Sequence, residues 1–167
     1  IWTKLGLKEY LMAELGAHVH MRNDVNLAAI GEMRSNRERK IENLIYVTCG
    51  VGFGAGIVMN ETLYTGEKNA AGEIGALLRD DGERFEEYIA MEGLIKRVKK
   101  ELDTQEAITF SKVVELVKKK DEKVSKVVYQ TGQDLGRVIY NTCITLDIRT
   151  VVFGGEYLDL GEDLVRG

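Results

Sequence analysis

The sequence predicts an α/β chain, and three observations carry that assignment. Residues 43–60, NLIYVTCGVGFGAGIVMN, hold two runs rich in β-branched residues on either side of a glycine stretch. Residues 83–102, 110–119 and 121–147 read as helices. A last apolar run, TVVFGG at 150–155, returns to strand character. Strands thus both precede and follow helices, the alternation of α/β architecture.

Each element has its own local signal. Leu5, Leu7, Leu11, Met12 and Leu15 recur at helical spacing over residues 3–15, and Gly16 follows as a stop. AHVHM at 17–21 alternates and predicts a strand that puts His18 and His20 on one face. Two imidazoles without a third ligand nearby read as a wet strand face rather than a metal site. Residues 23–34 start a helix capped by Asn23 or Asp24. The two strands of the glycine stretch follow, and a turn at Asn60 and Glu61 leads to a third short strand. EKNAAGEIGALL is a loop entering another strand-like segment. The long helix over 121–147 carries an apolar stripe of Val124, Val127, Val128, Leu135, Val138, Ile139 and Leu146, with Gly132 and Gly136 permitting close packing. TVVFGG is expected to be a buried strand, and 157–165 to begin a further helix.

Composition narrows the function classes. The 167 residues suffice for about one domain with a real core. They are 44% hydrophobic and 30% charged, as in ordinary globular chains. A net charge of −4 gives no global field favouring nucleic acid. Basic residues cluster only at 34–40 and 96–100, which read as solvated faces. No apolar run approaches the roughly 18 residues a bilayer span requires. Cys49 and Cys143 are isolated, form no C-x-x-C pair and suit a reducing cytoplasm. No signal peptide is visible, although IWTKLGLKEYL opens like the interior of a protein.

The glycine stretch bears most directly on function. Gly50, Gly52, Gly54 and Gly56 occupy every second position. Residues 50–55 satisfy G-x-G-x-x-G/A, but a strand follows where a dinucleotide fingerprint needs a helix. A glycine-rich hairpin can still cradle a phosphate, because bare glycines expose backbone N–H groups and allow positive φ. It can equally be a bend whose glycines relieve crowding.

Several motifs then occur in one order: NDVNLAAIGE, the glycine hairpin, NAAGEIG, a DLG-bearing helix and TVVFGGEYLDLGEDL. In order and wording they resemble the ROK family of repressors, open reading frames and sugar kinases, most closely the sugar-sensing domain of its transcriptional regulators. The resemblance covers essentially the whole chain. It implies an actin-like ATPase (ribonuclease H-like) lobe with a mixed sheet flanked by helices. Residues 1–37 would end an N-terminal lobe, and residues 38–167 would form a truncated C-terminal lobe. By the same resemblance Asp24 is a kinase's general base. Asn23, Asp24, Asn69, Gly72, Glu73 and Glu86 bind sugar. Gly50, Val51, Gly52 and Gly54 form the second phosphate loop, and Gly154 and Gly155 lie by the adenosine. A carboxylate at a helix start can take a hydroxyl proton, and Asn23 can both donate and accept. From spacing alone Asp24 reads as a helix cap and Glu73 as a solvated loop residue.

Four departures from the family pattern count against a kinase. Val51 stands where family kinases carry the threonine of Gly-Thr-Gly, removing a hydroxyl whose charged hydrogen bond is worth about 1.5–3 kcal/mol. Ala76 stands where they carry a histidine after GE-x-G. The cysteine-rich zinc loop is missing, with only its final glutamate kept as Glu86, so no structural zinc is expected. The D-x-G-G-T loop is also missing, and phosphoryl transfer needs charge clamped from both lobes. The expectation is therefore a catalytically degenerate sugar sensor with no cofactor. It would act in the cytoplasm as a homo-oligomer and bind operator DNA through a domain outside this chain. The alternative is an ATP-dependent sugar kinase using MgATP.

Overall fold

A computed structural model describes residues 6–36, 38 and 40–167. Its framework is a four-stranded mixed sheet in the order β3-β2-β1-β4. Strand β1 (Leu44–Cys49) runs antiparallel to β2 (Phe53–Met59), and β2 antiparallel to β3 (Thr62–Tyr64). β4 (Val151–Gly154) returns after a long helical excursion to lie parallel to β1. The predicted turn between β2 and β3 is built by Asn60 and Glu61, both at positive φ (50° and 59°).

Alternation along β1 and β2 gives the sheet two unlike faces. Ile45, Val47 and Cys49 of β1, with Phe53, Ala55 and Ile57 of β2, join the main core. Helices α4 (Met91–Leu102), α5 (Phe110–Lys118) and α6 (Glu122–Leu146) cover it, with Leu94, Val98, Val113, Val117, Val124, Val128 and Leu135 buried. On the opposite face Leu44 and Val58 pack with Ala29 of α2 (Asp24–Ser35). Asp121 caps α6, its Oδ1 accepting from Val124 N at 3.0 Å. In the expected α6 stripe, Ile139 and Leu146 are only half-buried.

Several sequence expectations need correction. Residues 17–21 form no strand: α1 (Leu7–Leu15) ends at Gly16 (φ 59°), and the chain is irregular to Asn23. An alternating run becomes a strand only beside a partner, and the described sheet ends at β3 and β4. His18 and His20 are both exposed. Helix α1 buries none of its residues despite its leucines, and the predicted start at residues 3–5 lies outside the described residues. EKNAAGEIGALL enters no strand: it holds a short 3-10 helix, Ile74–Ala76, and the described residues 77–84 after that helix form only a single bridge, between Leu78 and Arg84.

The helix expected over 83–102 is two, α3 (Phe85–Ile89) and α4, broken at Ala90 (ψ 165°). The break frees Met91 N–H to donate to Gly50 O at 2.7 Å, tying α4 to the glycine hairpin. β4 is an edge strand rather than a buried one: pairing only with β1 leaves Val151 36% exposed. Beyond it lie a 3-10 helix, Glu156–Leu160, and α7 (Glu162–Arg166). Gly132 packs against the backbone of Leu164, whereas a side chain at Gly136 would meet open space. No described helix is long and apolar enough to cross a membrane.

Candidate functional site

Of the alternating glycines of the β1–β2 hairpin, Gly50 and Gly56 serve close approach rather than special backbone geometry. None of Gly50, Gly52, Gly54 and Gly56 has positive φ, so the left-handed conformation anticipated for an anion nest is absent. Gly54 and Gly56 fall on the sheet face turned toward α2. A Cβ at Gly56 would lie 2.6 Å from Ala29 Cβ and 2.8 Å from Val25 O. This contact seats the start of α2 against β2 and carries Asn23 and Asp24 to the hairpin.

The hairpin tip is residues 50–52, closed by Gly50 N donating to Gly52 O at 2.9 Å. A cleft of about 300 Å³ opens there, lined by Asn23, Asp24, Val51, Gly52, Glu73 and Glu86 among others. At the start of α2, Asn23 is the cap. Its Oδ1 accepts from Val25 N (3.0 Å) and Asn26 N (3.2 Å), leaving its amide N–H groups for a ligand. Asp24 is the first helical residue, and its Oδ1 also lies 2.8 Å from Val25 N. The helix-cap reading therefore belongs to Asn23.

Glu73 reaches the cleft because Gly72 is docked on β2. Ala55 N donates to Gly72 O at 2.8 Å, and Gly72 (φ 91°) sits so near Ala55 that a Cβ would strike its carbonyl. Glu86 of α3 enters from the far side, with Oε1 3.5 Å from Phe53 N. Val51 at the tip is 78% exposed and presents only methyl groups.

Three residues of the expected site do not line this cleft. Asn69 is exposed at φ 56° in the preceding loop. Gly154 and Gly155 lie beside β1, at the end of β4: a side chain on Gly154 would meet the Tyr46 ring, and one on Gly155 (φ 93°) the Cys49 carbonyl and Thr48 Oγ1. The further helix expected to begin after the glycine pair starts as only the five-residue Glu156–Leu160 turn.

What that turn brings instead is Glu156, which the sequence reading did not single out. Its carboxylate lies against Gly50, where a Cβ on the glycine would fall on Oε2. The available signal was an acidic residue directly after the glycine pair. Glu156 is anchored through its neighbour Tyr157, which is fully buried, stacked on Phe110 (centroids 5.6 Å apart) and donates its hydroxyl to Ile89 O. Burial pushes the Tyr157 phenol and the nearby Cys49 thiol above their ordinary pKa values. Among the described residues the cleft lining contains four carboxylic side chains, Asp24, Glu73, Glu86 and Glu156, and no lysine, arginine or histidine. Among the described residues no group of three or more His, Cys, Asp or Glu side chains could hold a metal ion.

With this geometry in hand, the comparisons decide the family. The sequence matches the ROK family over residues 1–165. The chain belongs to the ROK family. It is similar to an N-acetylmannosamine kinase of Haemophilus influenzae (strain ATCC 51907 / DSM 11121 / KW20 / Rd), 30% identical over 180 aligned residues, covering 96% of this chain and 59% of the kinase. It is equally similar to a xylose repressor of Lactiplantibacillus pentosus, 30% identical over 151 residues, covering 87% of this chain and 39% of the repressor. Among solved structures, a ROK family glucokinase from Streptomyces griseus, in complex with glucose and AMPPNP, superposes with a TM-score of 0.83 at 21% identity, over 95% of this chain and 59% of that one. The ROK fold of this chain is thus the actin-like ATPase fold, with its mixed sheet and flanking helices. The chain spans 59% or less of the length of these relatives, and ROK relatives include both kinases and repressors.

Proposed function

We propose that the chain is the sugar-binding, effector-sensing part of a ROK-type transcriptional regulator. The observation that carries this reading is the cleft itself. Asn23, Asp24, Glu73 and Glu86 converge on a hairpin whose tip is the apolar Val51. Carboxylates accept, and the Asn23 amide donates, the hydrogen bonds that a monosaccharide's hydroxyls offer. The one side chain at the tip, Val51, has no hydroxyl to offer a phosphate. The xylose repressor among the relatives agrees with a sugar ligand. Binding would favour one conformation and so bias the affinity for operator DNA, which a domain outside this chain contacts. In this reading the protein is a cytoplasmic homo-oligomer needing no cofactor, with residues 1–37 closing an N-terminal lobe and 38–167 belonging to the C-terminal lobe.

One observation favours a second reading, an ATP-dependent monosaccharide kinase. Because Asn23 supplies the cap, Asp24 is left at the cleft, where a general base for a sugar hydroxyl would stand. Such an enzyme would hold MgATP along the amides of residues 50–54. The test is a coupled ADP-release assay with MgATP over a panel of monosaccharides, paired with thermal shifts, on the protein in its native full-length form. A sugar that raises Tm without ADP release supports the sensor. Sugar-driven ADP release that Asp24→Asn abolishes overturns it in favour of the kinase.

A further inference from the structure

We propose that Glu156 closes the phosphate end of this cleft, its carboxylate taking the place against the glycine hairpin that a nucleotide phosphate would need. The proposal deepens the sensor reading and rests on it. Three observations combine. First, the room that glycine leaves at position 50 is filled from outside: a Cβ on Gly50 would coincide with Glu156 Oε2. Second, the backbone carrying Glu156 is held on both sides. Gly155 is wedged against Cys49 O and Thr48 Oγ1, and Tyr157 is locked in the core by Phe110 and Ile89. Third, among the described residues the lining offers no cation to offset an incoming triphosphate, while Asp24, Glu73 and Glu86 share the same cleft with Glu156.

Like charges repel, so a phosphate brought to the hairpin beside these exposed carboxylates is disfavoured. A hydroxyl-bearing, uncharged sugar meets no such penalty, because carboxylates are acceptors for its hydroxyls. The same fold can therefore keep a sugar pocket while refusing the nucleotide. Arg97 does not line the cleft: its guanidinium lies over the Tyr88 ring at 3.9 Å and donates to Thr131 Oγ1 at 2.7 Å.

The test is titration calorimetry of ATP, with and without Mg²⁺, into the native full-length protein and its Glu156→Gln and Glu156→Gly variants. Glu156→Gln removes the charge and keeps the shape; Glu156→Gly removes both. Glu156 is exposed, so neither variant disturbs the core, and unchanged circular dichroism confirms folding. The expected result is no saturable ATP binding by the parent and a gain of at least about tenfold in the glycine variant, part of it already present in the glutamine variant. ATP binding by the parent as tight as by the variants overturns the proposal. So does a failure of both folded variants to gain, since some other feature would then exclude the nucleotide. A monosaccharide titration on the same samples keeps the two readings apart. Sugar binding beside equal ATP binding sinks the Glu156 proposal alone, whereas ATP exclusion without any sugar binding sinks the sensor alone.

Discussion

Gly56 of β2 and Ala29 of α2 meet with no room for a side chain between them: a methyl group on Gly56 would lie 2.6 Å from Ala29 Cβ. Real Cβ contacts do not come that close, so Gly56→Ala must push α2 off the sheet. The expected cost is about 1–3 kcal/mol of stability. Because Asn23 and Asp24 ride on α2, sugar affinity should fall with it. Gly54→Ala is the control, since its nearest neighbour, Gly72 O, is 3.9 Å away. It should leave stability within about 0.5 kcal/mol. Chemical denaturation of the two variants checks this; equal losses would mean that the glycine spacing does not seat α2.

The cap and the cleft can be separated at the start of α2. Asn23→Ala removes the acceptor for Val25 N and Asn26 N and should cost about 1 kcal/mol, with Asn23→Ser recovering most of it. Asp24→Asn should leave Tm nearly unchanged and abolish the sugar-induced rise. Thermal shift with and without sugar reads both. A large Tm loss in Asp24→Asn would assign that residue to structure.

Arg97 is a half-buried cation whose Nε and Nη1 lack hydrogen-bond partners among the described residues, and burial pulls its pKa down. Thr131 is fully buried and accepts from Arg97 Nη2 while donating to Val127 O. Thr131→Val should cost about 1–3 kcal/mol, since it strands one more buried donor. Arg97→Met should cost less, because it removes the demanding charge and keeps the apolar stem's packing. Urea denaturation of the two variants decides the order, and a larger loss in Arg97→Met would reverse it.

Alkaline pH should unfold this protein early. Tyr157 and Cys49 have folded-state pKa values above their ordinary 10.0 and 9.0, because burial disfavours the charged forms. Above about pH 9 the unfolded chain loses these protons while the folded chain keeps them. The unfolded state then binds fewer protons, so stability is fully present below that pH and falls as pH rises, by up to about 1.4 kcal/mol per unit for each group. Tyr157→Phe should flatten the fall above pH 10 while losing about 1 kcal/mol at neutral pH with the Ile89 hydrogen bond. Denaturant midpoints between pH 7 and 11 check the slope; an identical slope in the variant would remove Tyr157 from the account.

The sequence by itself determined what short stretches settle. The β-branched runs around the glycines became β1 and β2, Asn60 and Glu61 made their turn at positive φ, and the 121–147 periodicity became α6 almost to the residue. The resemblance put Asn23, Asp24, Asn69, Gly72, Glu73 and Glu86 in one set, and all but Asn69 line the cleft. Tertiary structure alone decided which partners those stretches would find. Residues 17–21 alternate like a strand but meet no neighbour, and β4 is as apolar as a central strand yet lies at the edge. The break at Ala90 answers to Gly50 O, 40 residues earlier, and Glu156 stands beside Gly50 only because β4 lies parallel to β1. The division has a physical cause: turns, caps and periodicity are fixed within a few residues, whereas burial and charge at a site depend on contacts between residues far apart in the chain.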